Sequence, residues 1–579
     1  MKINGKLLAF GVLFLMAVPL FAQNVYLELN LNNRSMQSMV RSVRPVSNLE
    51  LFRVIERAGR DNRIGGIILN VSSYNAGHET LWELRNALER FKATGKKVVA
   101  FISSANLPMY SLATVADKIV MDEQGTLLMP GYSWGRGYVR HSLEKLGIGV
   151  RELRYMEYKS ASEMFTRDSL SDADRRQYGE ILDDIMTVTR ETVTKARSWT
   201  DDEFYSMLND FMFSARSALE RGLVDRTGRK DAVIEALKEI SGGKEIKNFV
   251  VYGNINTSLT KSKNPYGPGR TRRLFSRPPV IAVINANGQT DMEQGMAARN
   301  LANTIKEASE NRRVKAMVVR INSPGGSAEA ADYIAEAIKK AREKIPVVVS
   351  MGSVAASGGY WAGMSANHVI ATPVTITGSI GVIGSWFYDK GLNNKLGLTV
   401  DSIQRGNHAD LFTGVILPHR DMNETEEARF REYILDLYGD FTARVAAHRN
   451  MDIEKVESLA QGRVFSGIGA YNAGLIDGIG GLDDALRIAR SLANIPENKR
   501  VAYSEFPKPK FMDRMLERML LSQTFVRRSA AFGHSEVTAA AFITDLFLPA
   551  PLLEDVRFRI THNGKAMPML PLDSGRLSR

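Results

Sequence analysis

The sequence predicts an α/β fold that consists of two tandem repeats, each made of parallel βαβ units. Strand-like apolar runs alternate with helix-like runs in both halves of the chain, a pattern typical of a parallel sheet. The length of 579 residues exceeds what one hydrophobic core usually serves and fits two domains of roughly 200 residues. A series of residues also recurs between the halves at one constant spacing, which indicates a duplicated domain rather than a solenoid of short repeats.

The recurring residues lie towards the end of each repeat. They are Phe213-Ser214, Ala218, Gly222-Leu223, Asp225, Gly228 and Asp231 in the first half, and Phe465-Ser466, Ala470, Gly474-Leu475, Asp477, Gly480 and Asp483 in the second. In the first repeat we expect strands at 25–31, 66–70 and 98–102 and helices at 51–58 and 80–92. In the second repeat we expect strands at 316–321 and 347–351 and helices at 301–310 and 329–342.

The expected organisation has five parts. The N-terminal repeat spans 24–250 and the C-terminal repeat 281–500, and between them a basic linker at 251–280 mixes Lys and Arg with Pro and Gly. At 1–23, Lys2 and Lys6 precede an apolar run that suits a signal peptide and is slightly short for a transmembrane helix. We therefore expect export, with a cleaved signal peptide and a retained membrane anchor both open. In the C-terminal extension at 501–579, residues 539–548 are expected to form a helix packed on the domains.

Composition limits the chemistry that the chain can perform. The absence of cysteine excludes disulfides, thiolate metal sites and a cysteine nucleophile. The eight histidines lack any metal-ligand spacing, so we expect neither a metal nor another cofactor. The net charge of +12 is concentrated in the linker, where it indicates a solvated segment or attraction to anionic lipid headgroups. No aromatic platform accompanies it, and we expect no nucleic-acid partner.

Two candidate catalytic residues lie in different repeats, and each lacks a counterpart in the other. Ser357 stands in the second-repeat segment Ala-Ala-Ser-Gly-Gly-Tyr-Trp, and the first repeat has Pro108 or Met109 at that place. Lys159 follows Tyr158 in the first repeat, and the second repeat has Gly-Asn-His-Ala at the matching distance, residues 406–409. Such complementary loss is what one Ser/Lys site shared between two repeats would leave behind.

The chemistry of acyl transfer agrees with this pairing. A serine hydroxyl needs a base within hydrogen-bond reach, and a lysine can accept a proton only when its setting favours the neutral amine. Backbone N–H donors must also face the oxyanion. Gly358 follows the serine, and Gly325 or Gly326 in a Pro-Gly-Gly turn can bring bare backbone close to a carbonyl. Taken singly, these residues fit a helix cap, ordinary turns and a surface lysine.

In combination, these motifs resemble the signal peptide peptidase A, or protease IV, family in its long, duplicated form. The resemblance covers roughly residues 25 to 500. The matching motifs are Ser323-Pro324-Gly325-Gly326, Ala356-Ser357-Gly358-Gly359-Tyr360, Thr377-Gly378-Ser379-Ile380-Gly381-Val382, Tyr158-Lys159-Ser160-Ala161 and the Gly-Leu-Val/Ile-Asp elements at Gly222 and Gly474. The first repeat departs from the pattern at 70–73, where Asn-Val-Ser-Ser replaces Ser-Pro-Gly-Gly.

The resemblance implies a Clp-protease and crotonase-like fold and a serine–lysine dyad. It gives Ser379 the role of orienting the lysine amine. It further implies a homo-oligomer, a tetramer, that degrades cleaved signal peptides at the membrane. With the targeting segment, we expect the catalytic domains on the extracytoplasmic side, either membrane-associated or periplasmic.

Two other classes of function remain open. A crotonase-like hydratase or isomerase would share the fold and use paired glycine N–H groups, with carboxylates such as Glu329 or Asp332 as its acid and base. Export to a compartment without an obvious acyl-CoA supply weighs against it. The other alternative is an inactive scaffold that only binds peptides or membrane partners.

Overall fold

A computed structural model of the chain describes residues 25–31, 48–62, 64–72, 74, 76–242, 248–251 and 278–507. The predicted targeting segment, most of the predicted linker and the predicted helix at 539–548 lie outside these residues. None of the helices within these ranges has both the length and the apolar character needed to cross a bilayer.

The first repeat contains eight strands and nine helices among its described residues. The strands are β1 (Val25–Asn30), β2 (Ile64–Asn70), β3 (Lys97–Asn106), β4 (Lys118–Leu128), β5 (Ile148–Arg154), β6 (Met212–Ser214), β7 (Arg226–Thr227) and β8 (Asn248–Val251). The helices are α1 (Asn48–Arg60), α2 (His78–Lys92), α3 (Leu107–Ala113), α4 (Arg140–Leu146), α5 (Glu163–Thr166), α6 (Asp172–Arg197), α7 (Asp201–Asp210), α8 (Ala215–Glu220) and α9 (Lys230–Ile240).

The second repeat follows the same order. Its strands are β9 (Val280–Asn287), β10 (Val314–Ser323), β11 (Val347–Ala356), β12 (His368–Ala371), β13 (Ile376–Gly378), β14 (Ile383–Asp389), β15 (Val464–Ser466), β16 (Gly478–Ile479) and β17 (Ala502–Phe506). Its helices are α10 (Ala298–Glu310), α11 (Ala328–Arg342), α12 (Gly358–Gly363), α13 (Leu392–Leu396), α14 (Glu424–Arg449), α15 (Ile453–Leu459), α16 (Gly467–Asn472) and α17 (Leu482–Leu492).

Each repeat is built on one mainly parallel sheet. The first has the order β6-β4-β3-β2-β1-β8, and the second has the matching order β15-β13-β11-β10-β9-β17. Among the described strands of these two sheets, only β6 and β15 join in antiparallel fashion. The predicted α/β fold with parallel βαβ units is confirmed, and every strand and helix expected between 25 and 351 is present. Because β17 pairs with β9, residues 502–506 of the expected extension belong to the second sheet.

The central strands form because they are apolar on both faces. Val347, Val348 and Val349 of β11 are all fully buried, as expected for a parallel strand covered by helices on both sides. The long helices start at side-chain caps. Ser171 accepts from the Asp174 N–H at the start of α6, and Asn423 with Glu426 forms a capping box at the start of α14, so each cap satisfies a helix N–H group that would otherwise be unpaired.

Equivalent hydrogen bonds in the two repeats fix their alignment. The hydroxyl of Tyr110 donates to the carbonyl of Leu223, and that of Tyr360 donates to the carbonyl of Leu475. Because Ser357 lies three residues before Tyr360, its counterpart lies three before Tyr110 and is Leu107. The expectation of Pro108 or Met109 is wrong. The spacing between the repeats differs slightly here from the spacing of the later motifs, so sequence counting alone misplaced the register.

The repeats contact each other through a strand pair and a helix. Strand β5 of the first repeat pairs antiparallel with β14 of the second over their full lengths. Helix α6 of the first repeat packs beside β15, where the Gln177 side chain accepts from the Val464 N–H and Asp184 accepts from the Ser466 hydroxyl. These contacts bring the loop after β5 to the end of β11.

Candidate active site

Ser357 sits at the sharp turn between β11 and α12. Its φ of 57° and ψ of −117° lie in a region that costs a non-glycine residue about 1–3 kcal/mol. The turn is held because the Ser357 N–H donates to the Gly378 carbonyl at 2.7 Å and the Trp361 N–H donates to the Ser357 carbonyl at 2.9 Å. The fold thus keeps this serine in a strained conformation at the end of a central strand.

Lys159 reaches the same point from the first repeat. Its loop follows β5, and the Tyr158 N–H donates to the Gln461 carbonyl at 2.9 Å. Gly462 has a φ of +79°, and a methyl group added there would lie 2.8 Å from the Lys159 Cα. The absence of a side chain at Gly462 therefore lets the lysine backbone pass. Only 1% of Lys159 is exposed, which is rare for lysine.

Three short contacts join the lysine amine to two serines. The Nζ atom of Lys159 lies 2.6 Å from Ser357 Oγ, 2.9 Å from Ser379 Oγ and 2.9 Å from the Ser379 carbonyl oxygen. Ser379 is itself held by an N–H bond to the Arg463 carbonyl at 2.7 Å. All three predicted side chains therefore meet within one chain, across the boundary between the repeats.

The three predicted oxyanion glycines lie near Ser357, and Gly325 differs from the other two in what its N–H group contacts. A methyl group added at Gly358 would lie 3.3 Å from the Gly326 amide nitrogen, so the two backbones are adjacent. Gly326 has a φ of +146°, a conformation that side chains disfavour. The Gly325 N–H instead donates to Ser323 Oγ at 3.2 Å. Gly358 and Gly326 thus fit a pair of donors better than Gly325 does.

A buried polar cluster that the sequence did not reveal supports the lysine loop. Ser160 Oγ donates to Asp174 at 2.5 Å, and Arg136 lies 2.7 Å from Asp174 and donates to the Ser160 carbonyl at 3.2 Å. Burial alone would lower the pKa of Arg136, but Tyr178 and Asp174 raise it overall. These residues are scattered along the chain, and only the Ser160 position next to Lys159 hinted at a role.

The carboxylates that a hydratase would need are placed elsewhere. Glu329 is exposed at the start of α11. Asp332 accepts from the Trp361 ring N–H at 3.4 Å and pairs with Arg444 at 2.9 Å. The groups gathered around Ser357 are an amine, hydroxyls and backbone amides, which are the components of acyl transfer rather than of carboxylate acid–base chemistry.

Comparisons with known proteins agree with this chemistry. The model of peptidase family S49 matches residues 90–244 and 339–496, together more than half of the chain. The chain is 31% identical over 461 residues to "Serine protease SPPA, chloroplastic" of Arabidopsis thaliana, covering 78% of this chain and 67% of that protein. It is also 31% identical over 494 residues to "Protease 4" of Salmonella typhi, covering 82% and 76%.

Among solved structures, a ClpP1 mutant from Listeria monocytogenes aligns with 35% of this chain and 94% of its own, at 18% identity and a TM-score of 0.24. The two matched segments of the family model fall one in each repeat. The predicted tandem organisation is therefore confirmed, and the chain belongs to the serine peptidases of family S49.

Proposed function

We propose that this serine peptidase cleaves peptide bonds with a dyad of Ser357 as nucleophile and Lys159 as general base. The observation that carries the proposal is the 2.6 Å contact between Lys159 Nζ and Ser357 Oγ. That distance is within the range in which a base takes a proton from its nucleophile.

The proposed reaction requires a neutral amine at Lys159 Nζ. A neutral lysine amine has two N–H donors and one lone pair, whereas an ammonium group has three donors. The Ser379 carbonyl can only accept, and Ser379 Oγ can take the second N–H. In that neutral form, the lone pair is available to accept the hydroxyl hydrogen of Ser357. Burial of the amine, with 1% of Lys159 exposed, disfavours the charged form further.

The reaction follows from this arrangement. Ser357 Oγ bonds to the substrate carbonyl carbon as its proton passes to Lys159, and the carbonyl electrons move to the oxygen. The N–H groups of Gly358 and Gly326 stabilise that oxyanion. The scissile bond then breaks, Lys159 gives its proton to the leaving amine, and a water molecule hydrolyses the acyl-enzyme with the lysine again as base.

A fluorophosphonate probe tests the dyad directly. We expect it to label the protein at Ser357, and we expect Ser357→Ala to lose both labelling and peptide hydrolysis while it remains folded. Ser353→Ala, a change on the same strand at a serine that donates to Glu79, should keep both. Labelling at another residue would assign the nucleophile to that residue, and no labelling would favour the inactive scaffold.

The substrates we propose are cleaved signal peptides and other flexible apolar peptides at the membrane. Ser357 and Lys159 are 0% and 1% exposed, and a flexible, extended chain reaches such a recessed site more easily than a folded domain does. Backbone hydrogen bonds and apolar pockets suit such a strand. Digestion of a free signal peptide beside its folded mature domain is the test, and equal rates would contradict this selection.

We further propose that the protein is exported and acts on the extracytoplasmic side, associated with the membrane. The proposal rests on the apolar run after Lys2 and Lys6, which suits a signal peptide or an anchor. Fractionation of cells that express the full chain, with protease accessibility of the catalytic repeats from outside, tests it. Protein found only in the cytoplasm would contradict the proposal.

We also propose a head-to-tail homo-oligomer in which the contact between repeats recurs between chains. Leu128 and Gly378, the last residues of β4 and β13, are equivalent positions in the two repeats. Counting forward from them, segment 133–139 of the first repeat corresponds to β14 of the second. Gly147 and Gly397, the left-handed caps of α4 and α13, are likewise equivalent. Counting forward from them, segment 398–404 of the second repeat corresponds to β5 of the first. Both segments belong to no helix or strand of the described chain, so each is available to pair with the other in a neighbouring copy.

Apolar side chains beside these segments support the same contact. In the chain, Ile181 of α6 packs with Val464 of β15. The corresponding residues are Tyr433 of α14 and Met212 of β6, and both are about half exposed, at 51% and 58%. Exposed apolar residues that fit together between neighbouring copies related by a rotation favour a closed ring. The family resemblance implies that this ring is a tetramer.

A further inference from the structure

Thr290 lies between the two glycines proposed as oxyanion donors. It follows β9, is fully buried and forms a bridge with Gly326. Its N–H donates to the Gly325 carbonyl at 2.8 Å, and its carbonyl accepts from the Ser327 N–H at 2.7 Å. The backbone of Thr290 is thus fixed to the Pro-Gly-Gly turn.

The hydroxyl group of Thr290 lies beside both glycines. A methyl group added at Gly358 would lie 2.6 Å from Thr290 Oγ1, and one added at Gly326 would lie 2.8 Å from it. At Gly358 this hydroxyl is the nearest atom to the added methyl group, and at Gly326 the Thr290 carbonyl oxygen, at 2.4 Å, is nearer still. The hydroxyl therefore adjoins both backbones whose N–H groups are the proposed oxyanion donors.

The Thr290 hydroxyl has no hydrogen-bond partner among the described residues. A buried hydroxyl left unpaired costs about 1–3 kcal/mol, so buried hydroxyls are normally satisfied. Two nearby threonines follow that rule. Thr377 donates to the Ala355 carbonyl at 2.7 Å, and Thr375 donates to the Gly352 carbonyl at 2.9 Å. The unsatisfied donor in this group is the one beside the glycine pair.

We propose that the Thr290 hydroxyl is a third donor to the oxyanion, together with the N–H groups of Gly358 and Gly326. The inference rests on the proposed function. When Ser357 Oγ bonds to the carbonyl carbon, the electron pair moved onto the carbonyl oxygen accepts the Thr290 O–H as a hydrogen bond. No proton is transferred from the threonine, and the bond is lost when the carbonyl reforms.

Thr290→Val tests the proposal because valine keeps the shape and removes the donor. We expect kcat to fall about 10²–10³-fold with little change in KM, the loss seen when one oxyanion donor is removed. Thr290→Ser, which keeps a hydroxyl, should recover most of the rate. Thr304→Val, a buried threonine that donates within α10, is the matched control and should retain wild-type turnover.

A second measurement separates catalysis from structure. A peptide boronate that forms a tetrahedral adduct with the serine should bind Thr290→Val more weakly by the same factor as kcat/KM falls. A substrate peptide should bind Ser357→Ala and Ser357→Ala/Thr290→Val equally, since the ground-state carbonyl does not need the donor. If Thr290→Val does not fold, Thr290→Ala and Thr290→Ser provide the same comparison.

The outcomes distinguish this inference from the proposed function. If the wild type is labelled at Ser357 but Thr290→Val keeps its turnover and boronate affinity within about twofold, a change too small for a lost oxyanion donor, Thr290 is not a donor and the dyad stands. If the wild type is not labelled at Ser357, the proposed function itself is wrong. Equal losses in the serine and valine variants would also overturn the inference.

Discussion

At the scale of single residues, the proposed site depends on the buried amine of Lys159. Ser379 places two oxygens beside Lys159 Nζ, and Ser357 Oγ contacts the same nitrogen. Histidine takes no part in these contacts. Arginine and alanine at position 159 both remove the basic amine, but arginine keeps a long side chain. Comparing the two variants separates the role of the amine from that of side-chain size.

We predict that Lys159→Arg inactivates the enzyme as fully as Lys159→Ala. A guanidinium group stays protonated in proteins and cannot accept the serine proton, and loss of a general base lowers turnover by about 10²–10⁴-fold. Peptide hydrolysis at neutral pH is the measurement. Lys96→Arg, a change at another buried lysine far from the site in the sequence, should retain turnover. Substantial activity in Lys159→Arg would assign the base to another group.

The sequence identified the residues that meet at the proposed site better than the residues that support them. Ser357 and Lys159 are visible because each repeat lost what the other kept, and Ser379 came from the family resemblance. Arg136 and Asp174 could not be predicted, since their contacts with Ser160 form only after distant segments fold together. Thr290 was missed because only the folded structure shows that its buried hydroxyl has no hydrogen-bond partner among the described residues.

At the scale of elements, the lysine loop is positioned by a neighbouring turn. Gly462 donates its N–H to the Ile380 carbonyl at 2.8 Å, next to Ser379, and its Cα passes close to the Lys159 backbone. The backbone of the loop after β5 thus passes close to the backbone of the turn before β15. The central strands were predictable because they are continuously apolar, whereas this turn consists of short segments without periodicity.

We predict that Gly462→Ala disables catalysis by displacing Lys159. The added methyl group would lie 2.6 Å from Lys159 Cβ, at a φ of +79°, and such a backbone conformation costs a side chain about 1–3 kcal/mol. We expect a modest fall in melting temperature and a larger fall in kcat. Gly439→Ala in α14, where an added methyl group meets no atom within 4 Å, is the control and should keep full activity. Wild-type turnover in Gly462→Ala would show that the close approach is not needed.

At the scale of the whole molecule, the proposed ring makes a prediction about assembly. Met212→Glu or Tyr433→Glu should place a charge in an apolar contact between copies and shift the protein towards monomers. Light scattering on size-exclusion fractions measures the mass. Leu492→Glu, at an exposed position of α17 outside the proposed contact, should leave the assembly unchanged. A wild-type monomer, or unchanged assembly in both variants, would contradict the head-to-tail arrangement.

The two repeats are also joined by a buried group of charges. Arg320 of β10 lies 2.8 Å from Glu83 and 3.2 Å from Glu79, both on α2. One arginine cannot balance two buried carboxylates. Burial raises the pKa of Glu83 to about 7, with Arg320 opposing the shift and Glu79 adding to it. Nothing in the sequence pattern predicted this contact, because its members belong to different repeats.

We predict that this group makes the stability of the protein depend on pH near neutrality. A carboxyl group whose pKa is higher in the folded than in the unfolded chain stabilises the fold at low pH, and that contribution is lost as the pH rises through about 7. The melting temperature of the wild type should therefore fall between about pH 5 and about pH 8. Glu83→Gln, which mimics the neutral carboxyl group, should remove most of that fall, a difference of at most roughly 3 kcal/mol in the free energy of unfolding.

Glu336→Gln, at an exposed carboxylate on α11 paired with Lys340, should keep the wild-type dependence. Identical pH profiles for the wild type and Glu83→Gln would mean that Glu83 remains ionised in the folded protein across this range.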